Sequence, residues 1–210
     1  MSEQNVWPGE SPDEDEGDEA GAAEADEADE DTGDGEPQLR VAGQHAAGEL
    51  GVPEDIDVLE GEPRSARRGV GVVVSRFNGE IVNRLLESAL AELERIGVAK
   101  DTVTVMAVPG AFELPLGAMA LAKTRRYSCI VALGCMLRGE TPHFDYVAGE
   151  AASGLQLAAL ETGVPVAFGV LTVDNVGQAE ARIEKGADAV RTALEMADLF
   201  SQLRATAQAD

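Results

Sequence analysis

Histidine is nearly missing from this 210-residue sequence; His45 and His143 are the only two. Cysteine is as scarce, with Cys129 and Cys135 alone, and aromatic side chains make up 4%. Two cysteines six positions apart lie about 20 Å from each other on an extended chain, too far for one bridge. No disulfide framework is therefore expected, and a reduced, cytoplasmic setting is. One histidine with two cysteines on one strand makes no metal-ligand set, so no metal is expected. Basic residues number 16 against 39 acidic, with no basic patch interleaved with aromatics, which argues against a nucleic-acid partner. No apolar run approaches the roughly 20 residues of a membrane span, and no hydrophobic leader follows Met1, so no membrane association is expected. Neither phosphate-cradling glycine loops nor a Gly-x-Ser-x-Gly nucleophile elbow follows a strand.

What is present divides into two unequal parts. Residues 1–66 carry 22 acidic side chains against Arg40 and Arg64, a balance of −20; residues 67–210 carry 17 acidic and 14 basic, a balance of −3. Mutual repulsion and the shortage of apolar surface predict a disordered acidic tail and linker over residues 1–55, followed by a folded domain over 56–210. The tail reads either as a solubilising, halotolerant extension or as a docking segment.

Within the domain, Ile56 to Gly61 alternates like a short edge strand. From Arg67 onward apolar runs alternate with helical patterns. Val70 to Val74, Thr102 to Val108, Ser128 to Leu133 and Pro165 to Thr172 are predicted strands. Glu80 to Ile96 repeats apolar residues at three to four positions and ends at Gly97. Helices are also predicted over Glu113 to Thr124, Asp145 to Glu161 and Val176 to Leu203, the last broken near Lys185-Gly186. Nearly unbroken apolar strands separated by helices predict an α/β fold: a three-layer αβα sandwich on a four-stranded parallel sheet.

In such a sheet the loops at the carboxyl edge converge on the ligand. The first loop here carries Arg76-Phe77-Asn78 and the second Pro109-Gly110-Ala111-Phe112-Glu113. The third, predicted over Gly134 to His143, holds Arg138, Glu140, Thr141 and His143; the fourth has Asp174 and Asn175, with Arg182 and Lys185 beyond. Taken singly, each admits an ordinary structural role: Phe77 as satellite core, Glu113 as a helix-start charge, Arg182 and Lys185 as a solvated face. Together they describe a pocket for a flat polar heterocycle beside an anion. Phe77 would stack, Asn78 and backbone amides would read hydrogen-bonding edges, and Glu113 would hold hydroxyls. The amides of Gly139, Glu140 and Thr141, with Arg182, would take a phosphate. His143 would move a proton near neutral pH.

The runs Arg76-Phe77-Asn78, Gly110-Ala111-Phe112-Glu113-Leu114-Pro115, Gly139-Glu140-Thr141-Pro142-His143-Phe144-Asp145 and Phe168-Gly169-Val170-Leu171-Thr172 resemble those of the lumazine synthases. The similarity runs from about Ile56 to Leu203. It implies a flavodoxin-like sheet and condensation of 5-amino-6-(D-ribitylamino)uracil with 3,4-dihydroxy-2-butanone 4-phosphate, without cofactor, in the penultimate step of riboflavin formation. By that resemblance Phe77 stacks on the pyrimidine and Asn78 borders it. Ala111, Phe112 and Glu113 bind the ribityl-uracil, while Cys135, Met136 and Leu137 line its ring. Glu140 and Thr141 meet the phosphate, His143 transfers protons, Phe168 comes from an adjacent subunit, and Arg182 clamps the phosphate with Lys185 as second cation. Where the family usually has an insertion after the arginine, only Ile183 and Glu184 separate Arg182 from Lys185 here.

The resemblance also implies a homo-oligomer, a pentamer or a 60-subunit capsid, with riboflavin synthase as a further partner and Ile56 to Gly61 pairing with a neighbouring copy. The competing reading is a non-catalytic shell or flavin-type ligand-binding relative that uses its acidic tail for interaction.

Overall fold

The computed structural model describes residues 50–53, 55–65 and 69–207. The tail predicted to be disordered falls outside them up to residue 49. Four strands form the sheet: β1 (Gly69–Ser75), β2 (Val103–Val108), β3 (Tyr127–Leu137) and β4 (Val166–Val173). All pair in parallel in the order β2-β1-β3-β4. The helices are α1 (Gly79–Ile96), α2 (Leu114–Lys123), α3 (His143–Thr162), α4 (Val176–Glu180) and α5 (Lys185–Thr206). The chain leaves β1 toward one side, makes β2, and returns across β1 to build β3. That reversal places a crevice beyond the carboxyl ends of β1 and β3, the switch point where doubly wound sheets hold ligands.

The pleat of β3 sorts the two cores. Cys129, Val131, Leu133 and Cys135 point to the side covered by α1 and α5, and Ile130, Ala132 and Met136 to the side covered by α2 and α3. Val72, Val73, Val131 and Leu133 are fully buried, each contributing about 1.5–3 kcal/mol of hydrophobic stabilisation. On the first side, α1 and α5 approach so closely that a Cβ on Gly186 would stand 2.2 Å from the Leu85 carbonyl oxygen.

Glu92 lies buried in that same interface. It accepts from Arg95 Nε and Nη2 at 2.7 Å each, and from Arg191 Nη1 of α5 at 2.8 Å. The Arg95 hydrogen bonds, helped by Arg191, outweigh burial and hold its carboxyl at about 2.

Two boundaries are drawn more finely than the sequence expectation. The third strand does not end at Leu133 but continues to Leu137, because Gly134 to Leu137 pair with Val170 to Val173 of β4. Gly134 is a packed strand position, not the start of a loop: an added Cβ would meet Ser75 Oγ at 2.9 Å and Leu114 Cδ1 at 3.2 Å. The helix expected from Val176, with a break near Lys185-Gly186, is interrupted just ahead of that pair, over residues 181–184, where Lys185 N–H donates to the Arg182 carbonyl and Gly186 N–H to that of Ile183.

Residues 56–61 do not join the sheet. Their end is held along α5: Gln202 donates to the Glu60 carbonyl at 2.9 Å, and Asp198 accepts from Glu62 N–H and from Arg64. Burial would raise the Asp198 carboxyl, but Arg64, the Glu62 amide and Gln202 together hold it below the usual range. No described helix is long and apolar enough to cross a membrane.

Candidate active site

The backbone at the end of β1 sets the first wall. Asn78 takes the left-handed conformation (φ 57°, ψ 43°) in front of α1, a state asparagine tolerates better than most residues. It does not cap the helix; its side-chain amide instead donates to the Cys135 carbonyl at 2.9 Å. The loop bearing Phe77 is thereby tied to the last residues of β3. Phe77 N–H donates to the Pro109 carbonyl, which ties the same loop to the one after β2.

That second loop passes into a 3₁₀ turn (Ala111–Glu113) and then α2. The Glu113 carboxylate reaches back to the Gly110 amide at 2.9 Å, so one oxygen is fixed and the other remains available to a ligand hydroxyl. Opposite them, residues 138–142 lead into α3, whose first residue is His143.

Between these walls lies an open cavity of about 620 Å³. Phe77, Asn78, Ala111, Phe112, Glu113, Cys135, Met136, Leu137, Thr141 and His143 all border it. Ten of the predicted site residues thus meet at one rim although they come from three separate connections and the end of β3. Phe77 is 71% exposed and Phe112 58% exposed in the single chain. Large rings left so open present faces for stacking rather than core packing. Burial raises the Cys135 thiol, as it raises that of Cys129 to about 12, so neither supplies a thiolate nucleophile.

The other four predicted residues do not border the cavity. Glu140 is exposed in the loop beside it. Phe168 sits on edge strand β4, paired in register with Ala132, and is 47% exposed. Arg182 donates to the Gln178 carbonyl of its own turn at 2.8 Å, and Lys185 pairs with Asp188 at 2.8 Å. The Lys185 hydrogen bond, with Arg191, lowers the Asp188 carboxyl. Sequence reasoning in turn missed Phe144, Tyr146 and Val147, which line the cavity from the first turns of α3. Their spacing from His143 puts them on neighbouring positions of one helix end, a signal that becomes readable once α3 is known to begin at His143. Among the described residues there is no cluster of histidine, cysteine and carboxylate side chains able to hold a metal ion.

Comparison with known proteins points the same way as the geometry. Residues 68–201 match the family model described as 6,7-dimethyl-8-ribityllumazine synthase. The 6,7-dimethyl-8-ribityllumazine synthases of Yersinia pestis (strain Pestoides F) and Yersinia pseudotuberculosis (serotype O:1b, strain IP 31758) are each 46% identical over 155 residues. Those alignments span 71% of this chain and 99% of either relative.

Proposed function

Since the chain belongs to the 6,7-dimethyl-8-ribityllumazine synthase family, its reaction is the condensation of ribitylaminouracil with butanone phosphate, and we propose that the rim cavity carries it out. The synthase reading is favoured over a non-catalytic shell by the relatives, which are named as enzymes over nearly their whole length. One observation carries the assignment of the site: Phe77, Glu113 and His143, from three connections, border the same cavity.

In this reading the pyrimidine stacks on Phe77 and lies along Cys135 to Leu137, with Asn78 at its border. Its ribityl chain meets Ala111, Phe112 and the free oxygen of Glu113. The butanone phosphate sits toward Glu140 and Thr141, where loop amides and the threonine hydroxyl donate. The uracil amine attacks the ketone and water leaves to give an imine. Loss of a C3 proton expels phosphate and leaves an enol that tautomerises to a second carbonyl. The ribitylamino nitrogen attacks that carbonyl, and a second water leaves as the ring closes. His143 shuttles the protons these steps require. Amine and ketone are reactive by nature, so the pocket contributes chiefly proximity and stabilisation of charge.

Phe168, Arg182 and Lys185 complete the site from a neighbouring subunit. What supports this is their exposure away from the cavity of their own chain, beside rings that a single chain leaves open. The working enzyme is then a homo-oligomer, at least a pentamer. A cytoplasmic location, with riboflavin synthase as the consumer of its product, accords with this chemistry.

Mixed assembly tests the arrangement. His143→Ala and Arg182→Ala subunits, each slow alone, are co-expressed in equal amounts. If Arg182 serves the neighbour's site, about a quarter of the sites in a random oligomer are intact and activity returns accordingly. If it serves its own, no site is intact and the mixture stays slow, which would refute the shared pocket.

A further inference from the structure

The start of α3 poses a mechanical problem. Its fully buried residues begin only at Ala151, two turns beyond His143; before that only Phe144, Val147 and Ala148 pack half-buried against the core, a light hold on the direction in which the first turn points. Arg138 is placed to fix it. Its guanidinium lies 4.2 Å from the centre of the Phe144 ring. Its Nη1 meets both oxygens of Asp145, at 2.9 and 3.1 Å. On its other side Nε lies 3.4 Å from Asp174 at the end of β4, and its own backbone N–H donates to the Val173 carbonyl at 2.9 Å.

Arg138 therefore grips the two residues that follow His143 and anchors them to the end of β4. Each of these ion pairs is exposed, and exposed pairs add little to the stability of a fold. Fixing the direction of a helix start requires instead a planar group with set donor angles, which guanidinium supplies and ammonium does not. Arg138 does not border the cavity, and its guanidinium is already engaged by Asp145 and Asp174.

We propose that Arg138, with Asp145 and Asp174, is the positioning residue for His143: it sets where the imidazole points into the cavity. This rests on the proton-transfer role proposed for His143. Displacements of about 1 Å in a reacting geometry can cost orders of magnitude in rate. Loss of the grip then lowers turnover without weakening substrate binding.

The experiment is a double-mutant cycle on the full chain in its native assembly. Arg138→Gln is expected to lower kcat about 5-fold or more and to leave KM for both substrates within about 2-fold. In the His143→Ala background the same substitution is expected to change kcat less than about 2-fold, because the group it positions is gone. Arg138→Lys keeps the charge and loses the plane, and is expected to recover less than half of the lost kcat. Should Arg138→Gln assemble poorly, Asp174→Asn removes one anchor alone and is expected to show the same disappearance of its effect. Equal losses in the two backgrounds would overturn the inference while leaving His143 in the mechanism. A fully active His143→Ala enzyme would overturn both. A KM rise confined to butanone phosphate would make Arg138 a phosphate ligand, contrary to this assignment.

Discussion

Acid should weaken one joint of the molecule by a measurable amount, and the joint is Glu92. Its carboxylate bridges Arg95 on α1 and Arg191 on α5 inside the seam between the two helices. The folded-state value of about 2 against an ordinary 4.5 is a difference of 2.5 units. At about 1.36 kcal/mol per unit, that is about 3 kcal/mol of stability. Because the folded value is the lower one, the contribution is fully present above pH 4.5 and is lost as pH falls toward 2. Linkage leaves less than half of it at pH 3.

The perturbation is Glu92→Gln, which keeps the shape, removes the charge and leaves two arginines facing a neutral amide. Urea unfolding followed by circular dichroism, at one fixed protein concentration, is recorded for both proteins from pH 7 down to pH 3. At pH 7 the variant is expected to be less stable by about 2–3 kcal/mol, and the gap is expected to shrink by half or more at pH 3. A gap that stays constant across this range, or one below about 0.5 kcal/mol at pH 7, would show that the bridge is an ordinary surface pair.

Three further outcomes are expected. Phe77→Ala is expected to raise KM for the uracil about 10-fold through lost stacking, with little change for butanone phosphate, in steady-state kinetics on both substrates; equal changes on both would remove the ring from the uracil subsite. Gly186→Ala should lower the melting temperature: the clash with the Leu85 carbonyl costs about 1–3 kcal/mol or more, exceeding the roughly 1 kcal/mol that alanine gains in helix propensity. A higher melting temperature would mean that α1 and α5 part at little cost. Deleting residues 1–49 is expected to leave kcat and KM unchanged, and a large loss would make the acidic segment part of the working enzyme.

The sheet and its helices were legible because each strand between β1 and β4 is an apolar run and α1 shows clear periodicity. Three of the four expected loops were legible as one cavity because a parallel sheet brings its carboxyl ends together; the fourth, with Asp174, Asn175, Arg182 and Lys185, does not border it. What escaped was set by contacts between distant residues. Gly134 looks like the start of a loop and is a strand position, because glycine alone fits against Ser75 and Leu114. Asn78 is expected at a ligand's hydrogen-bonding edge, yet its amide crosses to Cys135, a partner that no local pattern names. The rings of Phe144 and Tyr146 became site residues only when α3 proved to begin two positions before the predicted Asp145. Phe168 and Arg182 lie away from the cavity of their own chain, so no reading of one chain's local pattern brings them to it.

The extension of β3 to Leu137 has an evolutionary corollary. With the ladder carried to the threshold of the cavity, only residues 76–78, 109–110 and 138–142 of the bordering connections remain free of helix and strand. The binding surface is thus a cast form, already shaped before any reactant arrives. A lineage seeking a different partner molecule would alter it by exchanging individual side chains on fixed ends of secondary structure. Lengthening those spans would untie the amide of Asn78 from β3 and spoil the mould.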